Sequence, residues 1–236
     1  MDAGGWDSKR HEKVLSLRMK KLTAGGQSAG ILILISGGAG VLLSSAACAA
    51  TVQGYVMDVQ MTPAVCMFDS NRAKQRKCLQ GYSLNITGLY PETSRRDCET
   101  SSSAKLSPIQ AKVVARVMPD EHARVQLWQG IGGCVPMNAS QYFRTIINYA
   151  DRLKVPAVLT GQETTVVQQN ELNRLFIRLN PGMHSKSIHF QCTSHQAKSY
   201  LTELKICYSP NGRYKQCSSS VETQCPSALL LKVHTK

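Results

Sequence analysis

The chain has 236 residues, a formal net charge of +13 and nine cysteines, with 42% hydrophobic and 18% charged residues. That length can bury the core of one domain, and the ordinary apolar fraction excludes intrinsic disorder. The 17 Gly and 9 Pro exclude collagen-like or low-complexity sequence, and a single long apolar stretch excludes a polytopic membrane protein.

Residues 1–50 read as an N-terminal extension and secretory signal peptide, with residues 51–236 as the mature domain. Met19 is a candidate start, followed by the basic pair Lys20 and Lys21. An apolar run from Ala29 to Leu43 comes next and ends in the small residues Ala46-Ala47-Cys48-Ala49-Ala50. A membrane anchor is the competing reading, weakened by Ser36-Gly37-Gly38 and Gly40, which break the run. Lipidation of Cys48 is weaker still, because Ser45 stands where such a signal usually has Leu. Six of the 28 basic and three of the 15 acidic residues fall in this segment, so the mature chain keeps +10. It also keeps eight cysteines: 66, 78, 98, 134, 192, 207, 217 and 225. An even count in an exported chain points to four disulfides, in the periplasm or outside the cell. Zinc would want two closely spaced CxxC or CxxH pairs, and Cys192-Thr193-Ser194-His195 has no second pair to join it, so neither metal nor cofactor is expected. Eight cysteines allow about 105 connectivities, and the spacing leaves the choice open.

The mature chain predicts one α+β domain. Tyr55 to Met61 alternates apolar and polar, as a half-buried strand does. Gly81 to Thr87 is a second strand candidate. Gln75–Lys77 and Pro91–Ser103 read as loops. Ser107 caps a helix with Pro108 at its first position and Ile109, Val113, Val114 and Val117 on its buried face; Pro119 ends it. Asn138 and Gln141 form a capping box for a stronger helix that buries Phe143, Ile146, Ile147, Ala150 and Leu153. A third helix begins near Asn170, with Leu172, Leu175, Phe176 and Leu179 in one stripe. Strands resume with Ile188, Phe190 and Cys192, then Tyr200 to Ile206. Pro210-Asn211-Gly212 predicts a turn joining Leu201–Cys207 to Arg213–Cys217 as a hairpin. Ala228–Val233 is the last strand.

Two segments resemble the active-site motifs of the ribonuclease T2 family. Tyr82-Ser83-Leu84-Asn85-Ile86-Thr87-Gly88-Leu89-Tyr90-Pro91 is similar to a strand running into His-Gly-Leu-Trp-Pro. Gln126-Leu127-Trp128-Gln129-Gly130-Ile131-Gly132-Gly133-Cys134 is similar to His-Glu-Trp-x-Lys-His-Gly-Thr-Cys. Gln141-Tyr142-Phe143 matches the helix start that follows, and Tyr200 to Ile206 resembles a strand of bacterial periplasmic members. The resemblance spans essentially the whole mature chain. It implies the T2-type fold, an antiparallel sheet packed with helices, and the pairing Cys66–Cys78, Cys98–Cys134, Cys192–Cys225 and Cys207–Cys217.

The same resemblance implies a metal-independent endoribonuclease. Family members use one histidine to deprotonate the ribose 2′-hydroxyl and another to protonate the leaving 5′ oxygen, through a 2′,3′-cyclic phosphate. Glu, Lys and further His side chains steady the developing charge. In this chain the first histidine position is Thr87, and the His, Glu, Lys and His positions of the second motif hold Gln126, Leu127, Gly130 and Ile131. None of these exchanges a proton near neutral pH, so catalysis is expected to be lost. Gly88, Leu89, Pro91, Trp128, Gly132 and Cys134 keep the framework, with Tyr90 in place of Trp.

Histidines elsewhere do not replace the set. His122 lies four residues before Gln126, the wrong spacing, and His184, His189 and His195 read as exposed or loop residues rather than a relocated acid–base pair or a metal site. His189 is expected beside Ser187 and Gln191 on the solvent side of its strand. The positive charge then points to binding of single-stranded RNA or another polyanion. Candidates are Tyr82, Tyr90 and Trp128 for base stacking, and Arg174 and Arg178, which share a helix face. Further basic clusters are Arg72-Ala73-Lys74-Gln75-Arg76-Lys77 and Arg95-Arg96. The alternatives are an envelope or extracellular protein-interaction factor, with Leu127 and Ile131 hinting at an apolar patch, and a residual ribonuclease with relocated residues.

Overall fold

The alternating segment at Tyr55–Met61 forms strand β1 (Gly54–Met61), with Met57, Val59 and Met61 in the core and Val56, Asp58 and Gln60 on the opposite face. The computed structural model describes residues 51–68, 71, 74–161 and 163–232. The signal-peptide reading, Arg72 and Val233 lie outside them. The described residues fall within one compact unit, Ala47–Lys236.

Helix α1 (Thr62–Phe68) follows directly, then the one-turn α2 (Arg76–Leu79) and strand β2 (Leu84–Glu92). Next come α3 (Pro108–Val114), α4 (Glu121–Ile131), a 3-10 turn at Gly132–Cys134 and α5 (Ala139–Arg152). Strand β3 (Thr165–Gln168) runs into α6 (Gln169–Leu179), and β4 (Ile188–His195), β5 (Lys198–Tyr208) and β6 (Ala228–Leu231) complete the chain. The sheet order is β2-β1-β5-β6-β3, with β4 on the other edge of β5. All ladders are antiparallel except a single parallel pairing of β5 with β6 at Tyr200 and Leu230. The core lies on one side of the sheet. There Trp128, Tyr142, Phe143, Ile146, Leu172 and Phe176 from α4, α5 and α6 meet Met57, Leu89, Phe190 and Leu204.

Several expectations hold. Ser107 accepts from the Gln110 N–H, and the Asn138–Gln141 capping box is present on both sides. All four disulfides implied by the resemblance form. Others need correction. Ile109 is 80% exposed rather than buried, because only Val114 of α3 reaches the core fully. Leu179 is also exposed at the end of α6. The 75–77 loop is partly helical, since α2 starts at Arg76. Strand β2 runs past Thr87 through Pro91, which an edge strand tolerates because its missing N–H need not face a partner. Arg213–Cys217 forms no strand: the hairpin reduces to one bridge, Tyr208 with Tyr214, and the Cys207–Cys217 disulfide holds the return. Helices α1 and α4 and strand β3 are additional to the sequence reading. Asp120 caps helix α4, its carboxylate accepting from the Ala123 N–H, and the helix buries only Arg124 and Trp128.

Candidate functional site

The first motif lies at a break in the β1–β2 ladder. Asp58 pairs with Gly88 and Val59 with Ile86, so Thr87 is the extra residue of a β-bulge. Bulges re-aim a side chain, and they recur beside active sites. Here the side chain is a hydroxyl, donating to the Asp58 carbonyl at 3.3 Å. Beyond it the Tyr142 hydroxyl takes the Leu89 N–H (3.0 Å) and donates to the Leu89 carbonyl (3.1 Å), fastening β2 to α5.

The second motif occupies the C-terminal half of α4, which packs against β2. Trp128 is 2% exposed, its indole N–H bonded to Ser102 and its ring 5.7 Å from Tyr142. Trp128, Tyr142 and the Leu89 backbone thus form one continuous link between the two motifs. Gln126 and Gly130 are exposed, while Leu127 and Ile131 are half-buried against the core. The apolar pair is therefore mostly packing, not an open patch. No hydrogen bond joins Thr87 to Gln126, Leu127, Gly130 or Ile131 among the described residues.

A polar cleft of about 550 Å³ opens on the outer face of the sheet, lined by Asp58, Tyr90, Gln191, Lys205, Glu222 and Gln224 among others. Asp58 Oδ2 accepts from Lys205 Nζ at 2.7 Å, and Glu203 Oε2 stands 3.4 Å from the same ammonium. The second oxygen, Asp58 Oδ1, is buried without a hydrogen-bond partner. Burial pushes the Asp58 carboxyl up, against the pull of Lys205. Burial and then Asp58 push the Glu203 carboxyl up as well. Burial alone would lower Lys205, but the two carboxylates outweigh it and hold the ammonium above its usual range. Tyr90 lies over Gly88, where a Cβ would come within 2.6 Å of its ring, so only glycine lets the ring settle there. It is 38% exposed, and burial, Asp58 and Glu203 raise its phenol.

His189 sits in register with Lys205 on this face. It is half-buried, not solvated as expected: its Nδ1 is 3.1 Å from Thr223 Oγ1, because the 218–225 segment folds across β4. Burial lowers its pKa. Ser187, expected on the same open side, is fully buried.

The binding candidates separate. Tyr90 lines the cleft. Tyr82 is half-buried, with its hydroxyl tied to the Ala115 carbonyl. Trp128 is enclosed and has no ring face for a base. Arg174 and Arg178 are exposed on α6, whose core side packs through Phe176 on Phe190 of β4. Sequence reasoning missed Asp58, Glu203 and Lys205. Their only signal was the polar phase of two alternating strands. No group of three His, Cys, Asp or Glu residues among the described residues is placed to hold a metal.

The raised carboxyls give a testable sign. A carboxyl whose folded pKa lies above its unfolded value stabilises the fold at low pH and loses that contribution as pH rises through the folded pKa. Glu203→Gln removes one such group. Its urea midpoint is expected to match wild type near pH ~4 and to exceed it at pH ~8. A midpoint below wild type at the higher pH would show that the ion pair with Lys205 dominates.

The Ribonuclease T2 family model matches residues 53–217, more than two thirds of the chain. Ribonuclease MC1 from bitter gourd seeds superposes with a TM-score of 0.59 at 15% identity, covering 75% of this chain and 98% of that one. The Nicotiana alata self-incompatibility associated SF11-RNase gives 0.58 at 15%, covering 76% and 98%. An RNase-related protein from Calystegia sepium gives 0.57 at 14%, covering 77% and 98%. No curated protein matches this sequence. The three superpositions speak to the fold, and the family model speaks to descent through both motif segments: this chain belongs to the ribonuclease T2 family.

Proposed function

We propose that this T2-family protein is exported, binds single-stranded RNA or another polyanion, and does not cleave it. The observation that carries the reading is the contrast at the motifs. Thr87, Gln126, Leu127, Gly130 and Ile131 offer no general acid, base or charge. The frame around them stays linked, by ring contact from Trp128 to Tyr142 and by hydrogen bonds from Tyr142 to Leu89.

Binding draws on different groups. Tyr90 presents a ring at the cleft, and base–aromatic stacking contributes about 1–3 kcal/mol. Phosphates would stay outside, along the rim where exposed Lys74 and Arg76 precede Lys77, whose ammonium reaches Gln60 of the outer face at 2.7 Å. Four disulfides favour an oxidising compartment, the periplasm or the exterior. Among the described residues no helix is long and apolar enough to cross a membrane. The second reading, a protein-interaction factor, draws on Asp58 and Glu222 in the cleft, which repel phosphate.

Fluorescence anisotropy with a labelled single-stranded RNA separates the two. Three or four phosphate contacts would weaken affinity about 20- to 50-fold between roughly 50 and 200 mM salt. Tyr90→Ala is expected to weaken it about tenfold or more at fixed salt. Absence of binding at the lower salt would reject the RNA reading and leave the protein partner.

A further inference from the structure

A second cavity lies on the other side of the sheet. Lys205 faces the outer cleft. Tyr208, three residues on, belongs to the core-facing phase of β5. Beyond Tyr208 the chain turns at Ser209–Gly212, where the Gly212 N–H bonds the Ser209 carbonyl. The turn meets the C-terminal ends of α5 and α6 around a space of about 470 Å³. Arg152, Asn180, Tyr208, Gly212, Arg213 and Tyr214 are among its walls.

The chemistry of these walls is one-sided. No acidic side chain lines the cavity, and neither Arg152 nor Arg213 pairs with a carboxylate among the described residues. Arg152 is held in place without one. Its Nε donates to the Asn148 carbonyl, and its guanidinium lies 5.0 Å from the Tyr149 ring centroid. Gly212, at φ +77°, closes against it; a Cβ there would stand 2.9 Å from the Tyr149 ring and 3.0 Å from Arg152 Nη2. The terminal nitrogens are left for another partner.

Tyr208 supplies an independent observation. The residue is 2% exposed, and its hydroxyl is buried with no hydrogen-bond partner. The neighbouring Tyr214 hydroxyl donates to Asn180 Oδ1 at 3.2 Å, and its oxygen stands close to the Tyr208 hydroxyl but outside good hydrogen-bond geometry. Burial pushes the Tyr208 phenol far up, so it remains a proton donor at any physiological pH. A buried donor without an acceptor is costly to keep unless something fills the place.

We infer that this cavity is an oxyanion site, taking a phosphoryl or carboxyl group carried on a flat body through Arg152, Arg213 and the Tyr208 hydroxyl. The guanidinium fork fits either group with paired N–H donors. The ring of Tyr214, half-buried at the cavity wall, offers apolar contact to the flat part, while the Tyr208 ring is enclosed between Tyr149 and Tyr214. The site is separate from the outer cleft and does not depend on RNA binding there.

Isothermal titration of the purified protein at low salt with phenyl phosphate, benzoate, inorganic phosphate and uncharged phenol tests it. Phenyl phosphate or benzoate is expected to bind, and phenol is not. The better of the two names the source of the oxyanion, and inorganic phosphate alone reads the contribution of the flat body. Arg213→Gln is expected to weaken binding about tenfold. Tyr208→Phe is expected to weaken it severalfold while leaving the melting temperature unchanged or higher, because it deletes an unsatisfied hydroxyl. Asp58→Asn, in the outer cleft, is expected to leave this binding unchanged. Three results overturn the inference: no binding by any anion at millimolar concentration, binding indifferent to both cavity substitutions, or a Tyr208→Phe variant several degrees less stable than wild type.

Discussion

Trp128→Ala is expected to lose about 3–5 kcal/mol of stability, a large share of the about 5–15 kcal/mol that a domain holds. The side chain is enclosed, so its removal leaves a cavity lined by Tyr142 and its neighbours. It also releases the indole N–H bonds to Ser102, which hold the 98–102 loop near α4. Thr100 N–H bonded to the Gln129 carbonyl and the Cys98–Cys134 disulfide share that task, so the loop should loosen rather than detach. Urea unfolding checks the loss. Were Trp128 a base platform instead, the variant would keep its midpoint and lose only RNA affinity. The motif residue that the family keeps beside its chemistry is here a structural one.

The second large effect concerns catalysis. A positioned acid or base contributes about 10²–10⁴-fold, and both are missing with their electrostatic helpers. The expected RNA cleavage rate therefore lies more than about 10⁴-fold below that of a histidine-bearing relative. The outer cleft does hold titratable groups. Asp58 and Glu203 share one ammonium, Lys205, which spends its charge on them. His189 is turned to Thr223 and lowered by burial. Apart from Asp58 Oδ1, buried without a partner, these groups are arranged to satisfy one another, and Tyr90 is the cleft residue with an open aromatic face.

Much of this was legible from residue order. The four disulfides follow from the motif resemblance and the capping box at Asn138 from local hydrogen-bonding rules, whereas the bulge at Thr87 is visible only in the strand register. Helix α4 was not legible because its apolar residues form no stripe: Arg124 is buried and Val125 is not. The burial of Ile109 was misread because α3 is short and leaves that side chain beyond the packed turn. The Asp58–Glu203–Lys205 cluster was hidden because its members lie on two strands 145 or more residues apart in sequence, joined only by register: Asp58 opposite Lys205, Gln60 opposite Glu203. The 218–225 segment over His189 carries no periodic signal at all, and its placement depends on Gln224 bonding the Phe190 carbonyl and on Cys192–Cys225.

A ribonuclease T2 scaffold without its chemistry is expected to leave RNA intact. The direct measurement is cleavage of single-stranded RNA by the purified, disulfide-intact protein in EDTA, followed across about pH 4 to 8, the range in which carboxyl and histidine groups titrate. The account predicts no cleavage above a mock preparation at any pH. Sustained cleavage that yields 2′,3′-cyclic phosphate ends and is abolished by Asp58→Asn, Glu203→Gln or His189→Asn would contradict it.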